Sequence, residues 1–293
     1  MDIGVSLPTM APGYGPTTTV DWSRGIDAGP FSSVSAGERI TFSNPELFTT
    51  MAAAAAVTER VQIFINLVVA PLHPTPVMAK QIATIDQLAG GRTTLGVGIG
   101  GRGHDYRAAG ASYERRHARL DEQVAELRRL WAGEPPFEGA DPVGPAPEQE
   151  GGPPILAGAL GPKAMARAAQ WAGGVTGFSV SGRGDEMAAT FELADKAWAD
   201  AGRGTPRKVS GAFYALGIDQ PAETLHAFTR RYLDIFGDEL ATAMADDCWV
   251  STPDALRQLL DDAEQAGCDE LVLVPATVDL ACLEATDEIV AAR

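Results

Sequence analysis

Short runs of β-branched and aliphatic residues alternate along this chain with longer runs of helical period, the pattern of βα units wound around a parallel sheet. Eight runs read as strands: residues 3–7, 31–36, 61–69, 93–99, 154–158, 174–180, 209–217 and 270–275. The third and eighth, VQIFINLVV and ELVLVP, read as continuously apolar, as expected where both faces of a strand are covered. Between them, helix starts carry their own marks. In SNPELFTTMAAAAAV, Asn44 is expected as the N-cap, with Pro45 at the first helical position and Glu46 complementing the dipole. Thr75–Pro76 and Thr252–Pro253–Asp254 repeat the device, and Gly90–Gly91 and Gly267 supply stops.

Two stretches break the rhythm. Residues 134–153, dense in Pro, Gly and acid, read as an irregular surface insertion. Residues 220–250 read as extra helices placed after the seventh strand, at the end of a barrel where ligands bind. Eight units in 293 residues exceed the roughly 250 of a (β/α)8 barrel by about the size of these insertions. The expected fold is therefore α/β: a single TIM-barrel domain, 1–293, with insertions after strands 4 and 7.

Charge narrows the partners. With 39 acidic against 23 basic residues the chain carries −16, which repels polyanions, so no nucleic acid is expected. An anionic cofactor must then be held by local donors. The three cysteines have no CxxC spacing, and none of the four histidines has a metal-ligand partner at a recognised spacing, so no metal is expected. MDIGVSLPTM lacks a basic leader region, and IFINLVVAPL is too short to span a bilayer, which points to a cytoplasmic protein with no membrane partner.

The stretch TTLGVGIGGRGHDY contains G-x-G-x-x-G at Gly96, Gly98 and Gly101. A dinucleotide turn needs a helix at once and an acid ending the next strand about twenty residues on. Here the next clear helix begins about ten residues later, and the twenty-residue position falls inside it. The pattern reads instead as a strand bare at residues 96, 98 and 100 on one face. Such a row marks close approach of something bulky, either tight packing or a flat ring or phosphate.

The segment AAAAAVTERVQIFINLVVAPLHPTPVMAKQIATIDQLAGGRTTLGVGIGG resembles the signature region of the bacterial luciferase-like flavin-dependent oxidoreductases, including the branch that uses the deazaflavin coenzyme F420. YRAAGASYERRHARLDEQVAELRRLW, PPILAGALGPKAMARAAQWAGG and VSTPDALRQLLDDAEQAGCDELVLVP extend the resemblance over most of the chain. It implies a (β/α)8 barrel binding FMN or F420 at the C-terminal ends of the strands, a small-molecule substrate and a homodimer. It also implies that Asn66 faces the ring, that Val69–Ala70 sits at a bulge, often with a non-proline cis peptide, and that Gly98 and Gly100 line the pocket. Gly158, Ala159, Leu160, Gly161 and Ser179 would meet the phosphate, where Pro162 leaves backbone N–H groups free at a helix start. Phe178, whose ordinary role is packing, is a candidate to line a substrate cavity above the ring and is counted with the cofactor contacts.

One departure matters. Many relatives carry an acid followed by histidine after strand 2; this chain reads SAGERIT, with Glu38 followed by Arg39, which cannot exchange protons near neutrality. Glu38 is a candidate acid/base or the partner of an ion pair with Arg39 or another base. His73, in APLHPTP, and His104 are candidate proton carriers. Tyr14 and Tyr106 are candidate substrate contacts, with packing as their ordinary role. The expected activity is flavin-type hydride transfer or monooxygenation of a small organic substrate; the alternatives are a non-catalytic flavin-binding barrel and, more remotely, a dinucleotide dehydrogenase.

Overall fold

The computed structural model describes residues 1–293. Eight parallel strands close into a barrel in sequence order, β8 pairing back onto β1. They are β1 (Asp2–Ser6), β2 (Ser33–Ala36), β3 (Gln62–Val69), β4 (Thr93–Gly98), β5 (Ile155–Ala157), β6 (Gly174–Thr176), β7 (Arg207–Tyr214) and β8 (Glu270–Pro275). Closure in this order excludes the open dinucleotide-binding sheet, whose strand order reverses at its centre. The helices are α1 (Thr18–Ala28), α2 (Leu47–Val57), α3 (Thr75–Leu88), α4 (Gly103–Ala109), α5 (Arg116–Trp131), α6 (Gly161–Ala168), α7 (Gly184–Asp200), α8 (Pro221–Leu233), α9 (Asp238–Asp246), α10 (Pro253–Gln265) and α11 (Leu280–Ala291).

The strand period of two sorts side chains between two cores. On β8, Leu271 and Leu273 face outward into the main core beneath the helices, while Val272 joins Phe64, Leu156 and Val209 inside the barrel. Below that plug, Glu270 accepts hydrogen bonds from Ser32 Oγ (2.8 Å), Ser33 Oγ (2.5 Å) and Arg207 Nη2 (2.7 Å). The barrel floor is thus a closed polar network under an apolar layer, and its mouth is left for chemistry.

Local punctuation follows the sequence at some starts and departs at others. Thr252 caps α10 by accepting from Ala255 N, and Gly267 takes a φ of 81° after its end. Asn44 is not the cap of α2. Glu46 takes that place, its carboxylate accepting from Phe48 N and Thr49 N, which satisfies two of the orphan donors where Asn44 would satisfy one. Asn44 instead donates to the Arg39 and Pro45 carbonyls and ties down the β2–α2 loop.

The stretch after β4, expected to be loop, contains α4. Its seven residues are held by tertiary contacts: Asp105 is buried and accepts from Thr41 N and Thr41 Oγ1, and Tyr106 is buried beside it. The irregular insertion follows α5 and precedes β5, so it lies at the N-terminal end of the barrel, opposite the mouth. Gln149 fastens it by bonding both carboxylate oxygens of Asp86 and the Thr93 carbonyl. The later insertion, α8 and α9, follows β7 and covers the mouth.

Candidate active site

At the C-terminal ends of the strands lies a cavity of about 90 Å3. Ser6, Ser35 and Asn66, from β1 to β3, give it a polar side; Phe178, Phe213, Phe228 and Tyr232, from the β6 loop, β7 and α8, give it an aromatic one. A larger cleft of about 630 Å3 lies between α7 and α10 around Arg183, Trp249 and Asp262, off the barrel axis. The mouth is preferred as the site because ligands of this fold are held by loops at the C-terminal ends of the strands.

Strand β3 shapes that mouth. Between Ile65 and Val68 its register with β4 slips, so Asn66 and Leu67 together oppose Gly96, and the Asn66–Leu67 peptide is cis. The bulge and the cis bond therefore stand three residues before Val69–Ala70, where the family resemblance put them. The bulge also explains the bare face of β4. A Cβ on Gly96 would stand 2.9 Å from Asn66 Oδ1, and one on Gly98 3.0 Å from Leu67 Cδ1. Gly158 is tighter still, at 2.4 Å from Leu67 Cδ2, and Gly100 gives way to Val69. Asn66, Leu67 and Val69 of β3 thus fill the space beside these glycines. Asn66 accepts from Thr176 Oγ1 (2.9 Å) through Oδ1, which leaves its N–H2 free to donate at the cavity wall.

Glu38 turns away from Arg39. One carboxylate oxygen accepts from Val69 N (2.7 Å) and the other stands 2.8 Å from His73 Nε2. Glu38 is 3% exposed and His73 17%, with the imidazole edge-on to Phe48. The pair spans the loops after β2 and β3, directly beyond Gly37, which lines the cavity.

Arg39 runs outward under α8. Its guanidinium lies 3.6 Å from the Tyr232 ring centre and 4.7 Å from that of Phe42, and Nη2 donates to the Tyr232 carbonyl. Burial, with the nearby Arg102 charge, lowers the Arg39 pKa from its usual value. Nη1 of Arg39 and both Nε and Nη1 of Arg102 are buried without a hydrogen-bond partner. Arg102 has two long contacts, 3.5 Å from Nε to Asp105 and 3.4 Å from Nη2 to the Thr41 carbonyl, which accepts. Buried guanidinium N–H groups left unpaired are costly, so these two side chains have donors to spare for an acceptor.

The profile of the luciferase-like monooxygenases matches residues 1–292. The chain belongs to that family. It is accordingly an enzyme, and the non-catalytic barrel is set aside. An uncharacterized protein of Mycobacterium tuberculosis is 30% identical over 171 residues, 56% of this chain and 58% of that protein, so the match spans just over half of the relative's length. Among solved structures, an F420-dependent secondary alcohol dehydrogenase in complex with an F420-acetone adduct superposes with a TM-score of 0.82 at 18% identity, covering 99% of this chain and 98% of that one. The FMN-bound oxygenating constituent of 3,6-diketocamphane monooxygenase from Pseudomonas putida gives 0.73 at 18% identity, covering 100% and 98%. At that identity both comparisons establish the shared barrel.

Within this luciferase-like enzyme the remaining candidates separate clearly. Val69 and Ala70 are buried, Val69 filling the space above Gly100. Ala159 is buried, whereas Leu160, at the N-cap of α6, is 81% exposed. Gly161 opens α6 with a φ of 76°. Ser179 is buried and donates to Glu186 Oε2 (2.7 Å). His104 is exposed on α4, and Tyr14 bonds to Thr19 in the loop after β1. Neither lines the mouth cavity.

Tyr106 is not a substrate contact. It is 1% exposed, packed with Val69 and Leu72, and its hydroxyl donates to the Ile99 carbonyl. Burial pushes its phenol up to about 12, and pushes the Cys268 and Cys282 thiols up to about 12 and about 11. In each case the folded protein keeps the proton that the unfolded chain releases first. Stability is therefore complete below the ordinary values, near 9 for the thiols and 10 for the phenol, and is lost as pH rises through them toward 12. We expect the melting temperature to fall across that window and Tyr106→Phe to flatten the part above pH 10. An unchanged slope would show that the phenol titrates alike in both states.

Ser35, Leu67, Arg102, Phe213, Phe228 and Tyr232 escaped the sequence reading. Arg102 stood visible in GGRG, but only closure of the barrel sets it beside Arg39.

Proposed function

We propose that this chain is a flavin-type oxidoreductase that holds FMN or the deazaflavin across the barrel mouth and acts there on a small organic substrate. The observation that carries the reading is the set of buried, unpartnered guanidinium N–H groups on Arg39 and Arg102 beside the mouth cavity. Both cofactors carry phosphate, and in a chain of net charge −16 a buried cationic pair is a local exception that suits it. The residues present fit such a group. Arg102 Nε and Nη1 and Arg39 Nη1 would donate to the phosphate, while Asp105, held by Thr41, orients Arg102. The free amide hydrogens of Asn66 would donate toward the ring, and Leu67 would support it over β4 and β5.

When bound, the ring supplies the two-electron chemistry. The protein positions it, keeps water from the aromatic half of the cavity, and holds a proton on the Glu38–His73 pair, with the partly exposed imidazole linking the buried carboxylate to solvent. Arginine in the position after Glu38 favours hydride transfer as the reaction over oxygenation, since the proton carrier that relatives place there is replaced by a fixed charge.

Titration of the apoprotein with FMN and with the deazaflavin, followed by absorbance and fluorescence, tests the reading. One of them is expected to bind. Arg102→Leu should weaken that binding by about 10- to 100-fold, the value of one or two charge-assisted bonds. Ser179→Ala should leave it unchanged, because Ser179 is already committed to Glu186. Failure of both cofactors to bind overturns the proposal.

A further inference from the structure

No charged side chain lines the mouth cavity. The nearest acid and base point elsewhere, Glu38 to Val69 N and His73, and Arg39 to the Tyr232 carbonyl. With Arg39 and Arg102 engaged by the cofactor phosphate, a carboxylate or ammonium entering this space would lose its water and gain no counter-charge, a cost that hydrogen bonds alone do not offset.

The aromatic wall is continuous. Phe178 and Phe213 have ring centres 4.5 Å apart, Phe213 meets Phe228 and Tyr232 edge-on at 5.1 Å each, and Phe228 stacks on Tyr232 at 6.0 Å. Such a wall favours a flat apolar ring, through edge and face contacts as well as area. Opposite it, Ser35 lines the cavity with a buried hydroxyl that has no partner. That side asks for one uncharged polar group.

Size identifies the moving part. The cavity of about 90 Å3 is smaller than the ~150 Å3 that accepts benzene in an apolar core. Phe178 is 40% exposed, whereas Phe213 and Phe228 are buried. Phe178 lies into the mouth because Gly211 has no side chain; a Cβ there would stand 2.9 Å from its ring.

We propose that the substrate is a neutral, flat, largely apolar molecule with a single oxygen function, seated against Phe213, Phe228 and Tyr232 with its oxygen toward Ser35, Phe178 swinging outward to admit it. The proposal rests on the oxidoreductase reading above and deepens it.

The test uses cofactor-loaded protein and three probes of one shape, acetophenone, benzoate and benzylammonium, with binding read from the perturbation of cofactor absorbance and from equilibrium dialysis. Acetophenone is expected to bind at least tenfold more tightly than either ion. Phe178→Ala should shift preference toward the larger 2-acetonaphthone, and Gly211→Ala, which displaces Phe178, should change acetophenone affinity at least threefold. Benzoate or benzylammonium binding as tightly as acetophenone, or no probe binding to loaded protein, overturns the substrate class. Failure of either cofactor to load is seen before any probe is added and overturns the functional reading instead.

Discussion

Glu38→Gln is expected to lower turnover by about 10²- to 10⁴-fold while leaving the melting temperature nearly unchanged. Glutamine keeps the shape and one carbonyl oxygen. That oxygen can still accept from Val69 N, and the amide N–H2 can donate to His73 Nε2 in the opposite tautomer, so the strut between the loops after β2 and β3 survives. What is lost is a carboxylate able to take and return a proton. The substitution therefore separates two roles that the distances alone do not. A variant with full turnover in steady-state assays would reduce Glu38 to a latch. His73→Gln, which also keeps a donor near Glu38, should lose turnover in parallel if the two side chains act as one unit.

The largest stability effect is expected at the opposite end of the barrel. Glu270→Ala removes the acceptor shared by Ser32, Ser33 and Arg207, leaving two hydroxyls and one guanidinium arm without partners around a void. Breaking a buried charged network by deleting one member costs about 3 kcal/mol or more, which in a chain of this size lowers the melting temperature by roughly 6–12 °C. Arg207 is partly exposed and can recover water, which places the cost toward the lower end of that range. Glu270→Gln, which still accepts from the two serines, should cost about a third as much. Thermal and urea denaturation check both, and a fall no larger for alanine than for glutamine would show that the floor network contributes little. Because the floor lies under the apolar plug, cofactor affinity of the glutamine variant should match that of the parent.

These two glutamates differ in how far the sequence exposes them. Glu270 opens an otherwise apolar strand, and alternation alone puts it on the same face as Val272. Glu38 was visible as an acid at the end of a strand, yet Arg39 beside it was as plausible a partner as any other base. The adjacent arginine is not used: backbone direction at the loop sends Arg39 outward to Tyr232, 193 positions away, and brings in His73, 35 positions away. The glycines of β4 teach the same lesson. Their period showed that something bulky comes close, but Leu67 could be named only after the bulge in β3 fixed where that side chain falls.

Alternation of short apolar runs with helical ones, by itself, determined eight βα units, the order of elements and the position of the late insertion over the ligand end. These properties follow from short-range periodicity and from the steric rules that turn successive parallel strands into a barrel. Only the tertiary structure decided the identity of the pairs: Glu38 with His73, Arg39 with Tyr232, Ser179 with Glu186, Leu67 over Gly98 and Gly158. All but the local Ser179–Glu186 pair join elements whose separation is set by barrel closure, and a one-residue slip such as the β3 bulge redirects the side chains beyond it.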